Sequence, residues 1–407
     1  VRPRARVVLL VAALVVAGLA PCAGAQEPFR RPRDPQELQE PRRAPLTVTP
    51  SLTVAEEYND NILLNNDDRR WDVITQFSPG IALEVGSPTY RLTGSYFFTA
   101  EVFARHPELN HAFDRHHLTL DGVWRPTPRL TLTLGELFSF STDTNLITTE
   151  GVATGRDRAF SNALTLGAAW LLDPRTTLRG GVGWALLRFD RRELIDSDTY
   201  RADAAVDHAF TPRVTGTGAY EVARFVIQRE PDVTTHTPRL GVRYRFTETL
   251  TGVLLAGPTV ELIEGDGTRV TPAITAGLHQ RFRWGTLSAD YTRAVGTAGG
   301  LGGPTVNQSV GLFAQLTTLA RGLVVEAGPR YSRVESHDDR IDVDAVTVPL
   351  QLTYRMTSWA ALVVSYVLFH QRSDTRLLTP AGTPLANDVD QNRFRVGLQL
   401  GLPVRLD

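Results

Sequence analysis

Over residues 236–295 apolar and polar side chains alternate almost at every step. In residues 236–246, Leu240, Val242, Tyr244 and Phe246 interleave with Arg239, Gly241, Arg243 and Arg245. In residues 269–281, Val270, Pro272, Ile274, Ala276 and Leu278 oppose Arg269, Thr271, Ala273, Thr275, Gly277 and His279. A period of two with one wet face is the mark of an antiparallel strand. Tight turns at Thr247-Glu248 and at 283–285, with a polar reversal at 264–267, divide the stretch into four strands. The runs have roughly ten or more residues, whereas soluble strands have a mode of about 5–6. Tilted membrane-spanning strands need roughly 9–11.

The same pattern runs along most of the chain. It predicts strands at 46–57, 71–85, 90–104, 113–124, 129–140, 159–172, 176–189, 200–210 and 213–228 before that stretch. After it come 305–318, 322–334, 341–355, 359–371 and 391–406. The expected fold is all-β, a transmembrane antiparallel barrel of about eighteen strands; merging or splitting one ambiguous hairpin gives sixteen or twenty. Connections after even-numbered strands are short, and those after odd-numbered strands are mostly longer and more polar. Short periplasmic turns and long external loops produce this alternation, with both termini in the periplasm. Trp71, Tyr90, Trp124, Trp170, Trp284, Tyr354 and Trp359 fall near strand ends, mostly beside short turns, and Phe113, Phe140, Phe189 and Phe369 near the other ends. Two interfacial aromatic belts are the expected reading. A β-helix would show a short fixed repeat, and none is present. A sandwich of this size would need many shorter strands.

Composition refines this picture. Arg2, Arg4 and Arg6, the apolar run 7–19 and Ala23-Gly24-Ala25 have the layout of a signal peptide at 1–25. Cleavage there removes Cys22, the single cysteine, and leaves no disulfide chemistry. Residues 26–45 are rich in Pro and Arg and read as a disordered periplasmic leader, with the barrel at 46–407. All 43 basic residues are Arg, against 44 acidic ones, for a formal net charge of -1. That balance offers no basic face for nucleic acid.

The face opposite the apolar one is rich in charge. Arg91, Arg201, Arg239, Arg243, Arg245, Arg269, Arg281, Arg393 and Arg395 are its basic members; Glu101, Asp121, Asp203, Asp207 and Asp290 are its acids. Charges avoid lipid, so a salt-laced interior explains most of them. A sharper reading is an anion conduit, with Arg239, Arg243 and Arg245 on adjacent inward positions. For catalysis the candidates fail on geometry. His116 and His117 point to opposite faces of one strand, as do Asp207 and His208. No nucleophile motif and no HExxH is present. The acids of 65–68 and the Asp338-Asp339 pair lack EF-hand spacing. No enzyme, cofactor or metal is expected.

Residues 46–98 carry a family likeness. Glu57-Tyr58-Asn59-Asp60-Asn61, Asp72-Val73-Ile74-Thr75 and Ser78-Pro79-Gly80 resemble the outer-membrane β-barrel porin family of type 2, associated with exopolysaccharide and protein-sorting gene clusters. The resemblance implies passage across the outer membrane, commonly of polysaccharide, and assigns no catalytic residue. The ending Val404-Arg405-Leu406-Asp407 departs from the aromatic ending of many such barrels. The expected function is an outer-membrane conduit for an anionic exopolysaccharide. A general diffusion porin and a structural or adhesive barrel with a plugged lumen are the alternatives. The expected partners are outer-membrane lipid, the barrel-assembly machinery, periplasmic export components and polysaccharide. The loops at 141–157 and 372–390 are the candidate plugs.

Overall fold

The computed structural model describes residues 46–148, 151–317, 320–377 and 385–406. The segments read as signal peptide and leader lie outside them. Eighteen antiparallel strands form one closed sheet. They are β1 (Leu46–Asn59), β2 (Asp72–Gly86), β3 (Tyr90–Phe98, continued by Ala100–Phe103), β4 (His116–Thr127), β5 (Leu130–Asp143) and β6 (Arg156–Asp173). Next come β7 (Thr176–Phe189), β8 (Ser197–Ala209), β9 (Val214–Ile227), β10 (Val233–Arg245), β11 (Leu250–Ile263) and β12 (Gly267–Phe282). The last six are β13 (Gly285–Thr297), β14 (Pro304–Leu316), β15 (Leu323–Ala327, continued by Arg330–Ser336), β16 (Asp342–Arg355), β17 (Ala360–Ser373) and β18 (Val389–Gly401, continued by Val404–Leu406). Each strand pairs with its sequence neighbours, and β18 returns to β1 through Asn59↔Arg393 to Ser51↔Gly401. Closure pairs each strand with both neighbours, apart from the upper part of the β12–β13 contact, and such pairing is what allows strands to cross lipid.

Residues opposite each other in a ladder share a face, so the side-chain period sets inside and outside for the whole ring. Leu52, Leu83, Leu166, Val182, Val206, Leu240, Leu254, Val270, Leu350 and Leu398 are exposed on the outer face. In a soluble protein that apolar surface would be a liability; around a barrel it is the lipid contact. Tyr90, Trp124, Trp170, Phe246, Trp284, Tyr354 and Trp359 stand exposed at the short-turn end, and Tyr58, Trp71, Phe113, Tyr200, Tyr220 and Phe394 toward the other.

The structure differs from the sequence expectation in detail. β4 begins at His116 rather than at 113, because His117 must pair with Phe97 and Ser139 on the inner face. The long loop after β5 shrinks to 144–155, since Asp143 still pairs with Arg156. Phe189 and Phe369 leave the aromatic belt. Both lie on the inner face, Phe369 opposite Gln391 and 2 % exposed, Phe189 against the apolar cluster of the loops. Periodicity alone does not distinguish an aromatic residue facing lipid from one under a folded loop.

Candidate functional site

The inner face is wet at the short-turn end and filled at the loop end. Along β1 the inward residues pass from half-buried Thr47, Thr49, Ser51 and Thr53 to buried Ala55, Glu57 and Asn59. What covers them is the loops, which fold into the mouth. Val152, Leu194, Ala298, Leu301, Ile341, Leu385 and Ala386 come from five connections and pack with inward Val334 and Val343. Leu64 of the first loop joins Ala153, Ala345, Phe369 and Val389. Burying these apolar side chains offsets the entropy of holding the loops still.

Inward amides pin the same loops. Gln371 of β17 accepts from the Ala153 N–H and donates to the Ala153 carbonyl, both at 2.8 Å, and donates to Asn387 O at 3.0 Å. Gln391 of β18 donates to Asn59 Oδ1 at 3.2 Å and Asn61 O at 2.9 Å. The Arg229 guanidinium donates to Arg192 O and Leu194 O, both at 3.0 Å. His337 Nε2, on the β15–β16 loop, lies 3.1 Å from Glu261 Oε2.

Beneath the cap, one wall holds a dense charge network. Glu101 is 1 % exposed. Its carboxylate accepts from the Arg115 guanidinium, from Gln76 Nε2 at 3.0 Å and from Arg156 Nη2 at 3.5 Å, and lies 3.0 Å from His111 Nε2. Arg156 also donates to Asp143 Oδ1 at 3.2 Å, and Arg393 reaches Asp143 Oδ2 at 3.7 Å. Arg395 stands opposite Glu57 in the β18–β1 ladder. The sequence places Glu101, Arg393 and Arg395 on the charged face; it does not point to Arg115, Arg156 or Asp143, which lie at or beyond strand ends where alternation stops.

The opposite wall is open. Arg179 and Asp207 bond at 2.6 and 3.0 Å, and Thr217 donates to Asp207 at 2.6 Å. Glu221 sits between Arg201 at 3.6 Å and Arg239 at 3.2 Å. Asp203 lies opposite Gly181 and Glu221. Back on the wall of the Glu101 network, nearer the short turns, Arg91 and Asp121 are exposed on the inner face, one row apart in the β3–β4 ladder. Arg269 bonds Asp266 at 2.8 Å at the loop end. Arg243, Arg245 and Arg281 differ from these: all three are exposed toward the short-turn end. Thr251 faces Arg245 on one side and His279 on the other. None of the three forms an ion pair among the described residues. His116 points outward to Tyr96 Oη at 2.9 Å, and His117 inward against Phe97.

No family model matches the chain, and no curated protein does. Solved structures are similar in fold at low identity. The outer membrane protein opdK from Pseudomonas aeruginosa shares 11% identity over 88% of this chain and 99% of its own, with a TM-score of 0.45. OpdL of the same organism shares 15% over 88% and 99%, at 0.44. Acinetobacter baumannii OccAB4 shares 12% over 89% and 99%, at 0.44.

Proposed function

We propose that this chain forms a pore in the outer membrane of a Gram-negative bacterium, shut at its loop end in the state described, with a vestibule that attracts small anionic solutes. The observation that carries the reading is the group Arg243, Arg245 and Arg281, exposed on the inner wall of the open end with no carboxylate at ion-pair distance among the described residues; Asp207 is the acid that Arg243 acts on, and it already bonds Arg179. A wall charge in water at about 8 Å is worth roughly 0.5 kcal/mol to a monovalent ion before screening, and arginine rings favour anions. The network around Glu101 instead binds its arginines to Glu101 and Asp143 beneath the cap, away from the open end. The reading sets the short turns and both chain termini in the periplasm. An anionic exopolysaccharide, the cargo implied by the sequence resemblance, has the same charge chemistry and requires the mouth to clear.

Conductance of the refolded protein in planar bilayers, with reversal potential across a KCl gradient, tests this. Anion-selective steps, reduced by acidic oligosaccharide on the short-turn side, are expected. Cation-selective steps overturn the vestibule, and a folded protein that never conducts is a sealed structural barrel.

A further inference from the structure

The hydrogen-bonded wall parts at one seam. β12 and β13 pair from Phe282↔Gly285 up to Ile274↔Arg293 and no further. Yet β12 continues to Gly267 against β11, and β13 continues to Thr297 against β14. Among the described residues no backbone bond joins 267–273 to the β13 side. Extending the register would set Ala273 opposite Ala294, Thr271 opposite Gly296 and Gly267 opposite Gly300. The two segments match in length and do not meet.

β13 turns into the lumen instead. Val295 is in phase with the outward Tyr291 and Arg293, so on an unbent strand it would face lipid. Here it packs on Ala223, Phe225, Ile227, Val233 and Ile263, the inward residues of β9, β10 and β11. Loop 298–303 then crosses the mouth. Gly300 O accepts from the Ile195 N–H at 2.8 Å. An added Cβ at Gly299 would lie 3.1 Å from Thr148 Cβ, and one at Gly300 2.6 Å from Phe189. Ala298 and Leu301 complete the apolar cap. Gly299, Gly300, Gly302 and Gly303 all have left-handed φ, between 54° and 96°, which lets the loop double back.

The neighbouring wall is short of donors at the same height. Pro258 and Pro272 are opposite each other. The β10–β11 ladder jumps from His236↔Val260 to Leu240↔Ala256, passing Pro238 opposite Pro258. The row Pro238, Pro258, Pro272 therefore leads to the place where β12 loses β13. Proline gives the ladder no N–H, and on an edge it discourages pairing with a stray strand. At the seam itself, Glu261 takes the Thr271 hydroxyl and meets His337 of the β15–β16 loop, so the inner side is latched by that loop.

We propose that the β13–β14 hairpin is the gate of this pore. Folded inward it completes the cap and leaves the seam unpaired. Swung outward it zips onto residues 267–273 of β12, returns Val295 to lipid and clears the centre of the mouth. The inference rests on the pore reading above. Inward apolar residues at the rim of β9–β11, out of place in a wet lumen, are explained by the hairpin they hold.

Two cysteine pairs in a Cys22→Ser background test it on the full chain, refolded and checked for heat-modifiable mobility. Thr148→Cys with Gly299→Cys locks the inward state. Thr271→Cys with Gly296→Cys, cross-strand positions about 4.5 Å apart once paired, locks the outward one. Oxidising the first pair should cut open-channel time at least tenfold, reversed by dithiothreitol. Oxidising the second during conduction should hold channels open. Conduction by the wild type with no cross-link in the second pair overturns the gate, as does unchanged current with both links verified by mass spectrometry. No current from any variant, linked or reduced, overturns the pore reading and the gate with it.

Discussion

Three basic side chains converge on Glu101 in the inner wall. Arg115, Arg156 and His111 all reach its carboxylate, which is 1 % exposed. A buried cation stripped of its acid is costly, about 3–5 kcal/mol where a pair is broken outright. Glu101→Gln keeps the shape and removes the charge, leaving Arg115 and Arg156 with Asp143 and Glu57 as the nearby acids. A loss of about 3 kcal/mol is expected, read as a lower denaturant midpoint of the refolded barrel. The double variant Glu101→Gln/Arg156→Gln should lose less than the sum of the single changes, since the two share one network. Equal midpoints for wild type and Glu101→Gln would remove the network from the account of stability. The sequence makes Glu101 visible because it sits on an alternating strand. Its partners are hidden because Arg115 precedes β4 and Arg156 opens β6, where no period orients a side chain.

Among the elements, strands were legible and loops were not. Alternation located all eighteen strands, since each needs one apolar face for lipid and the count depends on nothing else. It could not show the seam, because residues 267–273 and 294–297 alternate as regularly as their paired neighbours. The prolines at 258 and 272 were the available signal: a proline in a strand otherwise read as central points to an edge. Loop folding depends on contacts between distant connections, which carry no local period. The β15–β16 loop shows how such a connection is held. Asp338 has a carboxyl below the ordinary aspartate range: partial burial opposes this, and the Ser336 hydroxyl at 2.6 Å and Arg340 outweigh it. A depressed folded value adds stability above the unfolded value, lost as pH falls through the folded one. The loop carrying His337 is therefore expected to loosen below about pH 3.8. Hydrogen exchange at 337–341 measured from pH 6 downward should show the rise, and Asp338→Asn should show fast exchange throughout. A flat profile in the wild type would mean that another contact holds the loop.

At the scale of the whole molecule, charge is divided between two jobs, and ion selectivity separates them. The network at Glu101 lies beneath the cap and pairs its charges. Arg243, Arg245 and Arg281 lie at the open end, on the path that the proposed pore gives a permeating ion. Together they are worth about 1 kcal/mol to an anion after screening at 0.1 M salt, or roughly fivefold in permeability ratio. Changing the three to Gln should reduce the anion-to-cation ratio by about that factor and leave the denaturant midpoint nearly unmoved, because no ion pair is lost. Arg179→Gln with Asp207→Asn removes one charge of each sign from the same wall, and selectivity should hold. If the two variants shift the ratio equally, local polarity rather than net charge sets selectivity. If neither does, ions are selected under the cap, and the arginines of the vestibule serve only to keep its wall wet.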